Sequence, residues 1–179
     1  MKKKLSLYDW LTISTIIIHI LLAVIIYIFN HAITDKDNVF IGTILLLTGI
    51  PSLSLFIVLK GHKHFSKFFY LLSGITAIIL GLIFILCPEI HPDHMFIIMG
   101  VFDIARGLYE SLEAGLEIRK NKLELIEFIP AIGDIVFGIL LIIKLENGYY
   151  NHLIFAATAL LVVAIKYILD LIFSIQTKH

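Results

Sequence analysis

HMFIIMGVFDIARGLYESLEAGLE, residues 94–117, is apolar enough to enter a bilayer, yet it carries Asp103, Arg106, Glu110, Glu113 and Glu117. The steps between these five are 3, 4, 3 and 4 residues, so all project from one side of an α-helix. An Asp or Arg at membrane depth costs roughly 2.5–3.5 kcal/mol on insertion scales. A helix can hold such a stripe only where it faces protein or a wet cavity. The remainder of the chain is therefore expected to cover this face.

Composition sets the setting. Of the 179 residues, 59% are hydrophobic and only 16% are charged. The mean hydropathy is +0.98. A soluble domain carries about 25% charged residues, so the expectation is a polytopic membrane protein whose first partner is the lipid bilayer. The formal net charge is zero, which gives no case for nucleic-acid binding. The one cysteine, Cys87, makes neither an intrachain disulfide nor a thiolate metal cage. The basic start, MKKKLSLYDW, looks like a signal-peptide n-region. The apolar run behind it, residues 11–29, is too long for an h-region and has no A-x-A-like cleavage site, so it reads as a retained first helix.

Six stretches are long enough to span: 7–30, 38–59, 66–87, 94–116, 123–145 and 152–175. A span takes about 20 residues at 1.5 Å rise. Short connections make neighbours antiparallel and leave no room for an extramembrane domain. Ten Lys and Arg residues (Lys2, Lys3, Lys4, Lys60, Lys63, Lys67, Arg119, Lys120, Lys122, Lys178) fall on one side, against Lys36 and Lys144 on the other. The positive-inside rule then places both termini in the cytoplasm. Pro51 is expected to kink the second helix, with Ser52 and Ser54 satisfying freed carbonyls, and Pro130 to bend the fifth before Asp134.

The chain also repeats itself. At an offset of 58, Gly81, Gly100 and Gly107 fall on Ala23, Gly42 and Gly49. At an offset of 57 the other way, Gly74, Gly81, Gly100 and Gly107 fall on Ala131, Gly138, Ala157 and Ala164. Each even-numbered helix thus carries small residues seven apart, which lets helices approach closely. The expected fold is all-α. It is a single transmembrane domain over residues 1–179, built as three parallel helical-hairpin repeats of approximately 7–60, 66–117 and 123–175.

Two groups of residues could carry chemistry. The first lies at membrane depth: His19, Asp103, Arg106, Glu110, Asp134, Lys166 and Asp170, with Glu127 on the Asp134 face. Arg106 is spaced to bridge Asp103 and Glu110 on its own helix. These residues read either as an interhelical salt-bridge network that fixes helix pairing, or as a proton or cation path through a polar pocket. The second group is on the outer side: His31, His91, His94 and His152, read as solvated loop histidines or as an external pH sensor. H-P-D-H is a poor metal spacing because a proline separates the ligands, so no metal is expected. No Walker, H-E-x-x-H, G-x-S-x-G or C-x-x-C motif is present, and no cofactor or enzymatic activity is expected.

The middle segment, GITAIILGLIFILCPEIHPDHMFIIMGVFDIARGLYE, resembles the short repeat of HdeD-type acid-resistance membrane proteins. The shared features are a glycine-bearing helix ending at a proline (Gly74, Gly81, Pro88), a short outer loop, and a helix with two glycines (Gly100, Gly107). The third repeat keeps Ala131 and Gly138 without the proline, and the first has Asn30 where Pro88 would fall. The resemblance implies a six-helix protein of the bacterial cytoplasmic membrane, linked to acid stress, with no catalytic residues to carry across. A non-enzymatic, stress-associated membrane protein is the leading expectation. The competing class is a small transporter or channel subunit. Six helices also suit the substrate-binding subunits of energy-coupling-factor vitamin importers, although the A-x-x-x-A pattern of their first helix is here only His19-x-x-x-Ala23. A homo-oligomer or another membrane protein would be its protein partner.

Overall fold

The structure is a computed structural model that describes residues 6–29, 38–58, 64–87, 89–90, 92–117, 128–143 and 148–177. Six helices make up the described chain: α1 (Leu7–Phe29), α2 (Asn38–Val58), α3 (His64–Leu86), α4 (Pro92–Glu117), α5 (Phe128–Ile142) and α6 (Gly148–Thr177). Among the described residues there is no strand. The helices follow the six apolar stretches closely. The expected start of α5 at 123 lies outside the described residues, and Pro130 is buried within the helix ahead of Asp134.

α1 begins on a reciprocal cap. Ser6 donates from its backbone N–H and its hydroxyl to Asp9 Oδ2, at 2.8 and 2.7 Å, and Asp9 N–H donates to Ser6 Oγ at 3.2 Å. Around Pro51, Ser52 Oγ donates to the Thr48 carbonyl and Ser54 Oγ to that of Ile50. Neither reaches the carbonyl of Leu47, the one that the proline deprives of its N–H partner.

Close helix pairs form where small residues face each other. A Cβ added at Gly42 would lie 2.7 Å from the Gly81 carbonyl oxygen, and one at Gly49 would lie 3.0 Å from that of Gly74. α2 and α3 are therefore in close antiparallel contact. The same holds for α4 and α5. An added Cβ at Gly100 meets the Gly138 carbonyl oxygen at 2.5 Å, and one at Gly107 meets that of Ala131 at 2.5 Å. α1 pairs with α6, with Ala23 and Ala157 both fully buried in one cluster. These closest pairs join one expected hairpin to the next. Within the expected hairpins α1/α2 and α5/α6 pack more loosely, and among the described residues α3 and α4 form no close pair.

The burial pattern is that of a membrane protein. On α4, Ile98, Val101, Leu108 and Leu112 point outward while Asp103 and Glu110 are buried. Leu21, Val24, Ile28, Ile50, Ile57, Ile132 and Ile139 extend this apolar exterior over other helices. Three helical segments, Leu7–Phe29, Asn38–Val58 and His152–Leu169, are long and apolar enough to cross a membrane. Tyr70–Leu86 and Phe128–Ile142 are shorter apolar helices, and α4 carries the charged stripe.

Candidate functional site: a charged cavity inside the bundle

The inward face of α4 meets side chains from the other five helices around a cavity of about 110 Å³. Asp103, Arg106 and Glu110 lie on its wall with His19 from α1, Asp134 from α5 and Lys166 from α6. The helix pitch explains why three α4 charges share the wall: Asp103, Arg106 and Glu110 are three and four residues apart. The charged stripe is thus covered by protein, as its cost in lipid demands.

Arg106 forms the expected intrahelical pair with Asp103 but not the one with Glu110, and its hydrogen bonds go to another helix. Its guanidinium forks onto Asp134 across the α4/α5 contact, with Nε donating to Oδ2 at 2.7 Å and a terminal nitrogen to Oδ1 at 2.5 Å. The same terminal nitrogen lies 3.3 Å from Asp103 Oδ1. Glu110 turns to Lys166 on α6, which donates to its Oε1. The bidentate geometry suits arginine, whose planar fork matches a carboxylate. The close approach of Gly107, next to Arg106, to Ala131, about one turn before Asp134, brings the Asp134 backbone within reach.

Counting the described charges on the wall gives three carboxylates, Asp103, Glu110 and Asp134, against two cations, Arg106 and Lys166. One negative charge is left over. Both cations are engaged, whereas Glu110 Oε2 is buried with no hydrogen-bond partner. His19 adds a second acceptor. Its Nδ1 faces the Thr15 carbonyl at 2.8 Å and must donate to it, so in the neutral ring Nε2 carries the lone pair. The ring packs against Tyr167 at 5.5 Å between centroids, and Tyr167 stacks on Tyr70 at 6.1 Å. Ser52 Oγ lies 3.4 Å from the Tyr167 hydroxyl, tying α2 to this aromatic group. Tyr167 was not singled out in the sequence, where the repeat pairs Tyr109 with Lys166 rather than with Tyr167, and Tyr70, expected near a membrane interface, is buried beside it.

Toward the α1–α2 and α3–α4 connections the wall becomes apolar, with Ile44, Leu80, Phe96, Met99 and Leu160 among its residues. The cavity is therefore charged at one end and greasy at the other.

The outer histidines separate. His94 is exposed, in the first turns of α4. His152 is not a solvated loop residue: it lies within α6, is 3% exposed, and packs on Phe96 at 4.9 Å. Its Nε2 donates to the Ile143 carbonyl at 3.1 Å, serving an orphan carbonyl at the end of α5. The loop reading fails because α6 starts four residues earlier than expected and turns His152 inward. His31, His91 and Glu127 lie outside the described residues, as do the side chains of Glu113, Glu117 and Asp170. Cys87 is free and exposed. Among the described residues no three His, Cys, Asp or Glu side chains converge as a metal ion requires.

Comparison with protein-family models, with curated proteins and with solved structures returns no match.

Proposed function

We propose that this chain is a non-enzymatic, six-span protein of the bacterial cytoplasmic membrane, both termini inside, acting as a small transporter or channel subunit. Its cavity holds a cation, the proton being the smallest, against the surplus carboxylate. The observation that carries the reading is the convergence of Asp103, Arg106, Glu110, Asp134, Lys166 and His19 on one cavity, with one more acid than base among the described residues. Arg106 is shared by two carboxylates, Asp134 and Asp103, and a purely structural network gains nothing from that excess of acid, since buried charge that is not fully compensated is costly. A site that waits for a cation needs it. The HdeD-type resemblance and its link to acid stress fit this reading as a proposal of kinship, because a cavity that takes up protons is a natural component of an acid response.

The test is proton flux in proteoliposomes under an imposed pH gradient, with wild type beside Glu110→Gln and Asp103→Asn. Flux in the wild type that Glu110→Gln abolishes, in protein that remains folded, is expected. No flux above empty liposomes, or flux untouched by both substitutions, would overturn conduction through this cavity.

A further inference from the structure

We infer that Asp103 is the group that fills the cavity's vacancy for positive charge: its carboxylate takes up one proton, and the proton is the cation that this site accepts. This deepens the proposed function and rests on it.

The three carboxylates of the wall are not equivalent. Asp134 has both oxygens on Arg106, at 2.7 and 2.5 Å, and its side chain is 2% exposed. Glu110 Oε1 is held by Lys166, Oε2 is buried, and the side chain is 7% exposed. Asp103 receives no hydrogen bond among the described residues. Its one ion pair is the 3.3 Å approach to Arg106, a cation already forked onto Asp134. Its side chain is 12% exposed, the most of the three, and it lines the cavity. The surplus negative charge is therefore that of Asp103.

Protonation of Asp103 balances the wall. Hydronium gives its proton to a carboxylate oxygen and leaves as water. Asp134 then has Arg106 to itself, and Glu110 keeps Lys166. His19 is a second acceptor on the same wall, through Nε2. A proton there would cancel the surplus by count, but it adds a third buried cation, whereas loading Asp103 removes a buried anion. Tyr70 of α3 and Tyr167 of α6 complete the titratable groups of the described wall. α2 lines it with hydrocarbon and the hydroxyls of Thr48 and Ser52.

The surroundings of Asp103 select the proton over larger cations. One and two turns before it on α4 stand Met99 and Phe96, which belong to or pack against the main apolar cluster. At the sequence offsets of 58 and 57, Asp103 corresponds to Leu45 and Leu160, and all three line the cavity. The same offsets carry the contact of Gly42 with Gly81 onto that of Gly100 with Gly138, so corresponding positions share a depth. At the depth of Asp103, α2 and α6 thus contribute leucines rather than oxygens. A metal or ammonium ion needs several acceptors in place of its hydration shell, while a proton needs one oxygen. Among the described residues no metal-binding group converges. A volume of about 110 Å³ has room for several water molecules, at roughly 10–15 Å³ each, and water suffices to deliver a proton.

The experiment records acid-induced infrared difference spectra of the full chain in lipid nanodiscs, following the C=O band of a buried protonated carboxyl. Wild type is expected to gain this band as the pH falls, whereas a proton on His19 would give none. Asp9→Asn identifies the contribution of the buried carboxylate described outside the cavity. Neutralising any one of the three wall carboxylates restores the charge balance, so single variants do not separate them. The decisive variant is Glu110→Gln with Lys166→Gln, which removes an ion pair and keeps the surplus acid. The cavity band is expected to persist in that double variant and to be lost in Asp103→Asn. Its absence from wild type, its loss from the folded double variant, or its survival in Asp103→Asn would overturn the inference. Wild type carries a second test should the variants fail to fold: exchanging sodium for potassium or ammonium at constant pH is expected to leave the band unchanged. Suppression by one of these ions assigns the site to that ion and overturns the inference, and leaves the reading of a cation transporter standing. A band that behaves as expected, without proton flux in proteoliposomes, keeps Asp103 as the proton site and removes conduction.

Discussion

Arg106 shows what a one-dimensional spacing can and cannot say. The 3-and-4 rhythm around it places Asp103, Arg106 and Glu110 on one side of a helix, and the cost of charge in lipid turns that side inward. Helical spacing offers only partners on the same helix, however, and the guanidinium, beside Asp103 as expected, also forks across to Asp134 while Glu110 turns to Lys166. A longer-range choice of this kind is made by how closely two backbones approach, which no single helix records. His152 makes the complementary point. It looked like a loop residue because it follows the polar stretch ENGYYN, yet α6 begins at Gly148 and delivers the ring to the end of α5. Replacing His152 by Leu keeps the packing against Phe96 and loses the bond to the Ile143 carbonyl. The expected cost is about 0.5–1.5 kcal/mol in a reversible unfolding measurement in bicelles or nanodiscs. An unchanged stability would mean that the bond contributes nothing.

The elements were legible as helices because each apolar stretch is long enough to span or nearly so. Their partners were less legible. Small residues seven apart identify the face a helix presents for close packing, but not the helix that packs there. Chain proximity suggests the hairpin neighbour. The structure places Gly42 and Gly49 against α3, and Gly100 and Gly107 against α5, so the close contacts link successive hairpins. The contrast between two glycines of α4 tests this. A methyl at Gly107 would lie 2.5 Å from the Ala131 carbonyl oxygen and 2.9 Å from Ile135 N, both backbone atoms that cannot swing aside. At Gly115 the nearest atom is the Phe128 ring at 3.9 Å. Gly107→Ala is expected to push α4 from α5 and destabilise the protein by about 1–3 kcal/mol. Gly115→Ala, with room for its methyl and better helix propensity, is expected to leave stability unchanged or slightly raised. Equal effects of the two would contradict the close α4/α5 contact.

At the scale of the whole molecule, isoleucines, leucines and valines cover the outside, while the interior combines an apolar core with a charged cavity. That apolar exterior follows from the solvent, since lipid accepts it and refuses the charges. It leaves the interior with a cavity whose charge does not balance, and the functional reading grows from there. Everything in the account depends on the α4 stripe being held by α5 and α6. A double-mutant cycle between Arg106 and Asp134 measures that most directly, using Arg106→Gln, Asp134→Asn and the pair, with unfolding free energies in bilayer mimetics. The structure predicts that each single change leaves a buried partner uncompensated and costs about 3–5 kcal/mol. It predicts that the pair costs less than the sum of the singles by about 1.5–3 kcal/mol. Two small effects that add within about 0.5 kcal/mol would mean that these side chains do not meet, and would contradict the charged cavity itself.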